Sequence, residues 1–349
     1  MQRISRRQFM ATTAAGATLA NGARAQNLSP AERNLYEAAK REGELTWYSG
    51  QVNSETGEAV GRAFTERYPG VKVNVVRSTS QVAFQRLSQD MQAGVAQCDM
   101  FSSTDYGHYL FLKREGRLMQ YRPQNADGLL APVRDQDKDN FWQVFYLGLY
   151  LLVYNTQKVK LEDAPKSWND VLNPKWKGQL AIGHPGYSGA IGVFGVVIKK
   201  LYGWDWFEKL EKNKPQIGRS SDDPVTLLNA GERTVGICVS LALPLLNKAR
   251  GNPLEIVYPT DGTLAVYSPS AIPKNAPHPN AAKLFMEFAT GKTFAEVTRD
   301  FYIMPLRPDV APPKGALPFD QVKLISATPA EIEDGVPDVK ERWRDTFGV

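Results

Sequence analysis

Three times between residues 44 and 116 the chain runs from a short apolar stretch into a Ser/Thr/Gly loop and then into a helical pattern. Leu45–Tyr48 leads to Ser49-Gly50-Gln51 and a helix from about Ser54 to Tyr68, with Val60, Ala63 and Phe64 on one face. Pro69-Gly70 breaks that helix, and Val71–Val76 leads through Ser78-Thr79-Ser80 into a helix ending near Gly94. Cys98–Phe101 leads through Ser102-Ser103-Thr104-Asp105 into a helix ending near Gly116. A βαβαβα order predicts a parallel sheet covered by helices, with right-handed crossovers. Before it, Ser29-Pro30-Ala31-Glu32 has the form of a capping box with Pro at the first helical position, opening a helix that Gly43 ends.

A second α/β stretch follows a polar segment over 122–140. Phe141–Tyr154 is extended. Gln179–Ile182 predicts a strand, Ser188–Leu201 a helix, and Thr234–Ser240, Leu254–Val257 and Leu264–Tyr267 further strands. Helices are expected at about 279–290 and 293–300, and a charged one ends the chain.

In a parallel sheet, loops after strands lie at the carboxyl edge, where open α/β sheets bind ligands. Five such loops carry small hydroxyl or glycine residues and precede helices: Ser49-Gly50, Ser78-Thr79-Ser80, Ser102-Ser103-Thr104, His184-Pro185-Gly186-Tyr187-Ser188-Gly189, and Arg219-Ser220-Ser221-Asp222-Asp223-Pro224. Free backbone N–H groups and the positive dipole end at a helix N-terminus favour an anion. Ser, Thr and Asp are also ordinary N-caps, and Ser54, Ser80 and Asp223 are read as caps only.

Charge narrows the partners. The formal net charge is +5, but Arg3, Arg6, Arg7 and Arg24 lie in the first 25 residues, which contain no acid. Removing those four from 42 basic residues leaves 38 against 37 acidic ones, a net charge of +1 and too little for a nucleic-acid partner. The same 25 residues have a basic start, an Ala/Thr/Gly-rich middle and Ala23-Arg24-Ala25 before Gln26. That is a secretory signal. Ser5-Arg6-Arg7 with Phe9 resembles a twin-arginine export signal, the alternative being an ordinary Sec signal. Cleavage after Ala25 leaves 324 residues and predicts a soluble periplasmic protein. The two cysteines, Cys98 and Cys238, are expected as buried free thiols, a disulfide in an oxidising compartment being the alternative.

Enzyme signals are thin. Gly186-Tyr187-Ser188-Gly189-Ala190 is a near-miss of the G-x-S-x-G nucleophile elbow, which leaves an exported hydrolase using Ser188 as the alternative of another class. No Cys or His spacing fits a metal site, and no cofactor is expected. Gly189-x-x-Gly192-x-x-Gly195 lies inside a helix and reads as a packing face.

Several segments together resemble the ferric-iron-type group of periplasmic solute-binding proteins of ABC importers. They are Leu45-Thr46-Trp47-Tyr48-Ser49, Ala63-Phe64-Thr65-Glu66-Arg67-Tyr68-Pro69-Gly70-Val71-Lys72-Val73, Cys98-Asp99-Met100-Phe101, Val153-Tyr154-Asn155, Pro165-Lys166-Ser167-Trp168, and Asn173-Pro174-Lys175-Trp176-Lys177-Gly178. The resemblance implies two α/β lobes, each a mostly parallel sheet flanked by helices, joined by crossing strands (a type II periplasmic-binding-protein fold). Lobe one would be 27–122 with 263–308, and lobe two 126–258 with 315–349. It implies a monomer that closes on a small-molecule solute and delivers it to a membrane-embedded permease, and no catalysis.

One departure bears on the solute. Iron-binding members carry adjacent tyrosines just after the strand that follows the A-G-E turn, whereas this chain has Ser240-Leu241 there. Ferric iron wants anionic oxygen ligands, so bare iron is not expected. Iron held with an anion through other oxygens is the runner-up. Members without the tyrosine pair take small organic or phosphorylated ions, which with the hydroxyl-rich loops implies a carboxylate, phosphate or phosphonate. Arg219 could add a bidentate contact, Tyr146 and Tyr187 could wall the site, Ser240 could face it, and Asp261 could receive an ammonium or fix the hinge.

Overall fold

The computed structural model describes residues 28–349; the export-signal reading of residues 1–25 lies outside them. The first helix, α1 (Pro30–Glu42), starts with Ser29 Oγ accepting from the Glu32 N–H and ends on Gly43 in the left-handed region, φ 80°. The expected capping box is only half formed. Glu32 instead turns its carboxylate to Tyr68 Oη at 2.5 Å and Arg67 at 3.0 Å.

Strands β1 (Glu44–Ser49), β2 (Lys72–Arg77) and β3 (Met100–Ser102) are parallel, in the order β2-β1-β3. Alternation along β1 sends Leu45 and Trp47 into the core beneath α1, and Tyr48 into the core on the opposite face. The crossover helices are α2 (Ser54–Arg67) and α3 (Ser80–Gln92), and α4 (Gly107–Arg114) follows β3. Ser49 pairs with both Arg77 and Ser102, so the three strands end at one level and release their loops side by side.

Strand β4 (Gln143–Asn155) is buried at all thirteen positions and runs antiparallel to β9 (Thr263–Ala271). These are the crossing strands. On their far side, β5 (Leu180–Ile182), β6 (Gln216–Ile217) and β7 (Val235–Ser240) make a second parallel set, with β8 (Leu254–Val257) paired to β4. The pairing of β4 with β7 slips between Leu151 and Val153, and Cys238 opposite the slip takes φ 54°. Beyond that bulge the strand runs on to Ser240, which pairs with Tyr150.

The second set carries α5 (Gly189–Tyr202), α6 (Asp205–Lys212), α7 (Asp223–Asn229) and α8 (Ala242–Ala249). Helices α9 (Pro279–Ala289) and α10 (Lys292–Asp300) return to the first set, where Phe285 and Phe288 pack on Phe64. The chain ends in α11 (Pro329–Phe347), which opens with a full capping box between Thr328 and Glu331. It lies against both α5 and α4. The glycine stripe of α5 is the packing face expected of it. A Cβ at Gly195 would sit 2.4 Å from Val339 Cγ1, and one at Gly192 3.1 Å from Val336 Cγ1. Cys98 and Cys238 are both free and buried; Cys98 precedes β3 and does not belong to it.

Candidate functional site

Between the two parallel sets lies a narrow cleft with a water-accessible cavity of about 40 Å³. All five hydroxyl loops reach it: Gly50 from the first, Thr79 and Ser80 from the second, Thr104 from the third, Ser188 from the fourth, and Ser220 and Ser221 from the fifth. The common level of Ser49, Arg77 and Ser102 brings the first three together. Ile182 pairs with both Ile217 and Ile237, which levels the other two in the same way.

Half of the expected site residues line the cavity: Gly50, Thr79, Thr104, Tyr146, Ser188, Ser221 and Ser240. The others sit behind or beside it. Neighbouring residues at a strand end point in alternate directions, so in each hydroxyl pair one member turns away. Ser49 is fully buried. Ser78 Oγ donates to the Thr79 carbonyl at 3.4 Å. Ser103 Oγ bonds His108 Nδ1 at 2.9 Å and accepts from the Asp105 N–H. Gly189 packs against Thr104 and Asp105. The Arg219 guanidinium stacks over the Tyr187 ring at 4.6 Å, outside the cavity. Asp261 is engaged in packing, its Oδ2 accepting from the Trp168 N–H at 2.8 Å and from Tyr202 Oη at 2.7 Å.

The three residues read as caps behave differently. Asn53, not Ser54, caps α2. Ser80 does not cap α3. Its hydroxyl donates to the Gly50 carbonyl at 3.0 Å, lies 2.8 Å from Thr104 Oγ1 and accepts from the Thr104 N–H, tying three loops together on the cavity wall. Asp223 Oδ2 accepts from the Arg219 and Ser220 N–H groups and folds the fifth loop.

Gln51, Asn53, Arg77, Tyr150 and Asp222 also line the cavity; Gln51 and Asp222 lie in the expected loops, but none of the five is among the site residues the sequence singles out. Arg77 ends β2, and its Nε donates to the Val52 carbonyl at 3.2 Å. Asp222 is mostly buried, and Ser240 Oγ donates to its Oδ1 at 2.6 Å. Burial holds this carboxyl above the usual carboxylate range, against the opposing pull of the Ser240 hydrogen bond and of Arg77. Burial also pushes the Tyr146 and Tyr150 phenols upward, and nearby Asp222 adds to both shifts. Both phenols therefore stay protonated at neutral pH and offer O–H groups to the cleft.

Among the described lining residues, Arg77 is the one cation and Asp222 the one carboxylate. The N-caps of α3 and α5, Thr79 and Ser188, both lie on the cavity and neither makes a side-chain cap bond. The arrangement can hold an oxyanion on backbone N–H and hydroxyl groups, and a hydrogen-bond donor or cation at Asp222. It is poorly suited to acyl transfer. Among the described residues no imidazole hydrogen-bonds the Ser188 hydroxyl, His108 being taken by Ser103 and Gln81 and His184 Nδ1 accepting from the Gly186 N–H; His184 meets Ser188 only through its carbonyl, which accepts the Ser188 N–H. No group of three or more His, Cys, Asp or Glu side chains able to hold a metal occurs among the described residues.

Residues 98–318 match the family described as bacterial extracellular solute-binding protein. An uncharacterized protein of Haemophilus influenzae is 26% identical over 269 residues, covering 74% of this chain and 76% of that one. A putative 2-aminoethylphosphonate-binding periplasmic protein of Salmonella typhimurium is 24% identical over 285 residues, covering 78% and 77%. Among solved structures, the periplasmic binding protein AfuA of Actinobacillus pleuropneumoniae, with exogenous fructose-6-phosphate bound, superposes with a TM-score of 0.80 at 26% identity, over 88% of this chain and 99% of that one. Iron-bound HitA of Pseudomonas aeruginosa superposes with a TM-score of 0.73 at 20% identity, over 87% and 99%.

Proposed function

The chain belongs to the bacterial extracellular solute-binding protein family, and from that premise we propose that it is the periplasmic receptor of an ABC importer for a small phosphate or phosphonate that also carries an ammonium or hydroxyl group. One observation carries this reading: a cleft lined by hydroxyls and two free helix N-caps, with a single cation and a single mostly buried carboxylate. The oxyanion end suits Thr79, Ser188 and Arg77. The donor end suits Asp222, whose burial makes a charged or hydrogen-bonding partner favourable. The printed ligands of two relatives, 2-aminoethylphosphonate and fructose-6-phosphate, share this two-ended chemistry.

The lobes are read as 28–122 with 263–308, and 126–258 with 315–349; they close about the β4–β9 crossing. We read the protein as an exported monomer that hands its solute to a membrane permease and catalyses nothing. In support, no helix among the described residues is long and apolar enough to cross a membrane.

Thermal-shift and calorimetric titration of the purified protein with 2-aminoethylphosphonate, fructose-6-phosphate, carboxylates and neutral sugars tests the proposal. The phosphorus oxyanions should stabilise it most. Stronger stabilisation by a neutral sugar, or a visible phenolate–iron colour in protein taken from the periplasm, would overturn it. Covalent labelling by a fluorophosphonate, lost in Ser188→Ala, would favour the hydrolase instead.

A further inference from the structure

Gln51 is only 6% exposed, lines the cleft, and has no protein partner for either Nε2 or Oε1 among the described residues. Beside it on the cavity wall, Thr79 Oγ1 is likewise buried without a partner. Buried polar side chains are almost always hydrogen-bonded, and a carboxamide left unpaired at both ends destabilises the protein that contains it. Leu or Met would fill the same space without that penalty. The pair stands at the start of α3, a thirteen-residue helix whose N-cap makes no side-chain bond; the Gln81 N–H there donates to the Tyr187 carbonyl at 3.1 Å, and the positive dipole end of the helix favours negative charge. The neighbouring Gly50 cannot carry a side chain, because a Cβ there would lie 2.7 Å from Ser80 Cα. The loop is thus held close to the helix start, with Gln51 as its one long polar side chain.

We infer that Gln51 is a specificity-determining residue that reads the oxyanion of the solute: its Nε2–H donates to an oxygen seated on Thr79 Oγ1 and the α3 N-terminus. The inference rests on the phosphate-or-phosphonate reading above and goes further, assigning the oxyanion end to the β1–α2 and β2–α3 loops and leaving the donor end for Asp222. Gln51 is kept for binding at the expense of the unliganded fold.

This gives opposite signs for two measurements on one variant. In the full-length mature protein, Gln51→Leu should raise the melting temperature without added ligand by about 1–3 °C. It should weaken binding of both 2-aminoethylphosphonate and ethylphosphonate by roughly 10- to 100-fold, as expected for a lost hydrogen bond to a charged group. Gln51→Glu, nearly the same shape, should weaken both further by placing a carboxylate against the oxyanion. Thr79→Val should weaken both in the same proportion. If wild type binds both phosphonates and Gln51→Leu binds them equally well, or loses unliganded stability with affinity intact, Gln51 is a packing residue and the inference is wrong. If wild type binds neither phosphonate nor fructose-6-phosphate, the phosphorus reading itself fails and the assignment falls with it.

Discussion

Glu55 and Arg250 join α2 to α8, with Oε1 of Glu55 2.6 Å from a guanidinium nitrogen of Arg250. Glu55 lies in the first turn of α2, and Arg250 follows the last turn of α8. On the lobe assignment proposed above the two helices belong to opposite lobes, and both start on the cavity, through Asn53 and Thr56 on one side and Ala242 and Leu243 on the other. The pair therefore requires the lobes to be together. Its side chains are about half exposed, at 49% and 53%, so it contributes about 0.2–1 kcal/mol to closure. Glu55→Gln should weaken solute binding by roughly 1.4- to 5-fold through faster release, and 1 M salt should abolish the difference. The double reversal Glu55→Arg with Arg250→Glu should restore affinity. Stopped-flow release of a bound phosphonate at two salt concentrations checks both points.

Asp222 gives the cleft a pH dependence whose sign follows from burial. Burial raises its carboxyl above the ordinary range, so the folded, unliganded protein holds that proton more tightly than the unfolded chain does. The associated stability is present below the unfolded-state value and is lost as pH rises through the folded-state one. Asp222→Asn removes that loss and should make the unliganded protein more stable at neutral pH, as read by denaturant unfolding. The same change should erase any preference for 2-aminoethylphosphonate over ethylphosphonate, because the ammonium loses its counter-charge. In wild type that preference should shrink as pH falls through the raised value, which calorimetry over a pH series would show.

His108 acts in the opposite direction on stability. It is buried between Ser103 and Gln81 and stacks on Phe84 at a 3.9 Å centroid distance. Burial lowers its pKa to about 4, outweighing the pull of Asp105. The folded state holds the neutral ring, so its contribution is complete above about 6.5 and is lost as pH falls toward about 4. Acid should weaken the fold over that window by an amount on the order of a few kcal/mol. His108→Gln should lower stability at pH 7 and flatten the slope between pH 6.5 and 4 in urea titrations.

The fold was legible because it rests on local rules. Strands end in small hydroxyl residues, the first helix opens with Ser29-Pro30 and closes on Gly43, and these signals need only near neighbours. The convergence of five loops was legible for the same reason, since parallel strands deliver their loops to one edge. Two helices carry no such signal. Asp205–Lys212 is short and crowded with charge, and Ala242–Ala249 carries Pro244, which its first turn tolerates because the missing N–H would have no helical partner there. Individual site residues were harder. Whether Ser78 or Thr79 faces the cleft depends on the exact strand end. Asp222 meets Ser240 at 2.6 Å from a loop eighteen residues earlier, and Ser240 lies beyond a bulge at Cys238. Gln51 gives no sequence signal at all, since what marks it is the want of a partner in three dimensions.

Gly189 shows how close the lobes come and provides a test of closure. It is the first residue of α5, and a Cβ there would lie 2.8 Å from both the Asp105 backbone nitrogen and Thr104 Oγ1 in the loop after β3. Its φ is not in the left-handed region, so alanine suits its backbone and raises helix propensity. Because the clash is with the Asp105 backbone, alanine fits only where these two loops stand apart; Gly189→Ala should therefore leave the unliganded melting temperature unchanged or slightly higher if the lobes open without solute, and lower it if they stay together. It should weaken phosphonate binding by roughly tenfold or more, since α5 and the β3–α4 loop cannot meet without displacing backbone. Small-angle scattering with saturating 2-aminoethylphosphonate should show a wider molecule than wild type. Gly195→Ala makes the control, because its Cβ would strike Val339 on α11, behind the cleft. That variant should lose stability, with affinity falling only where the fold does. Equal affinity in Gly189→Ala and wild type would mean that the bound state does not bring these two loops together.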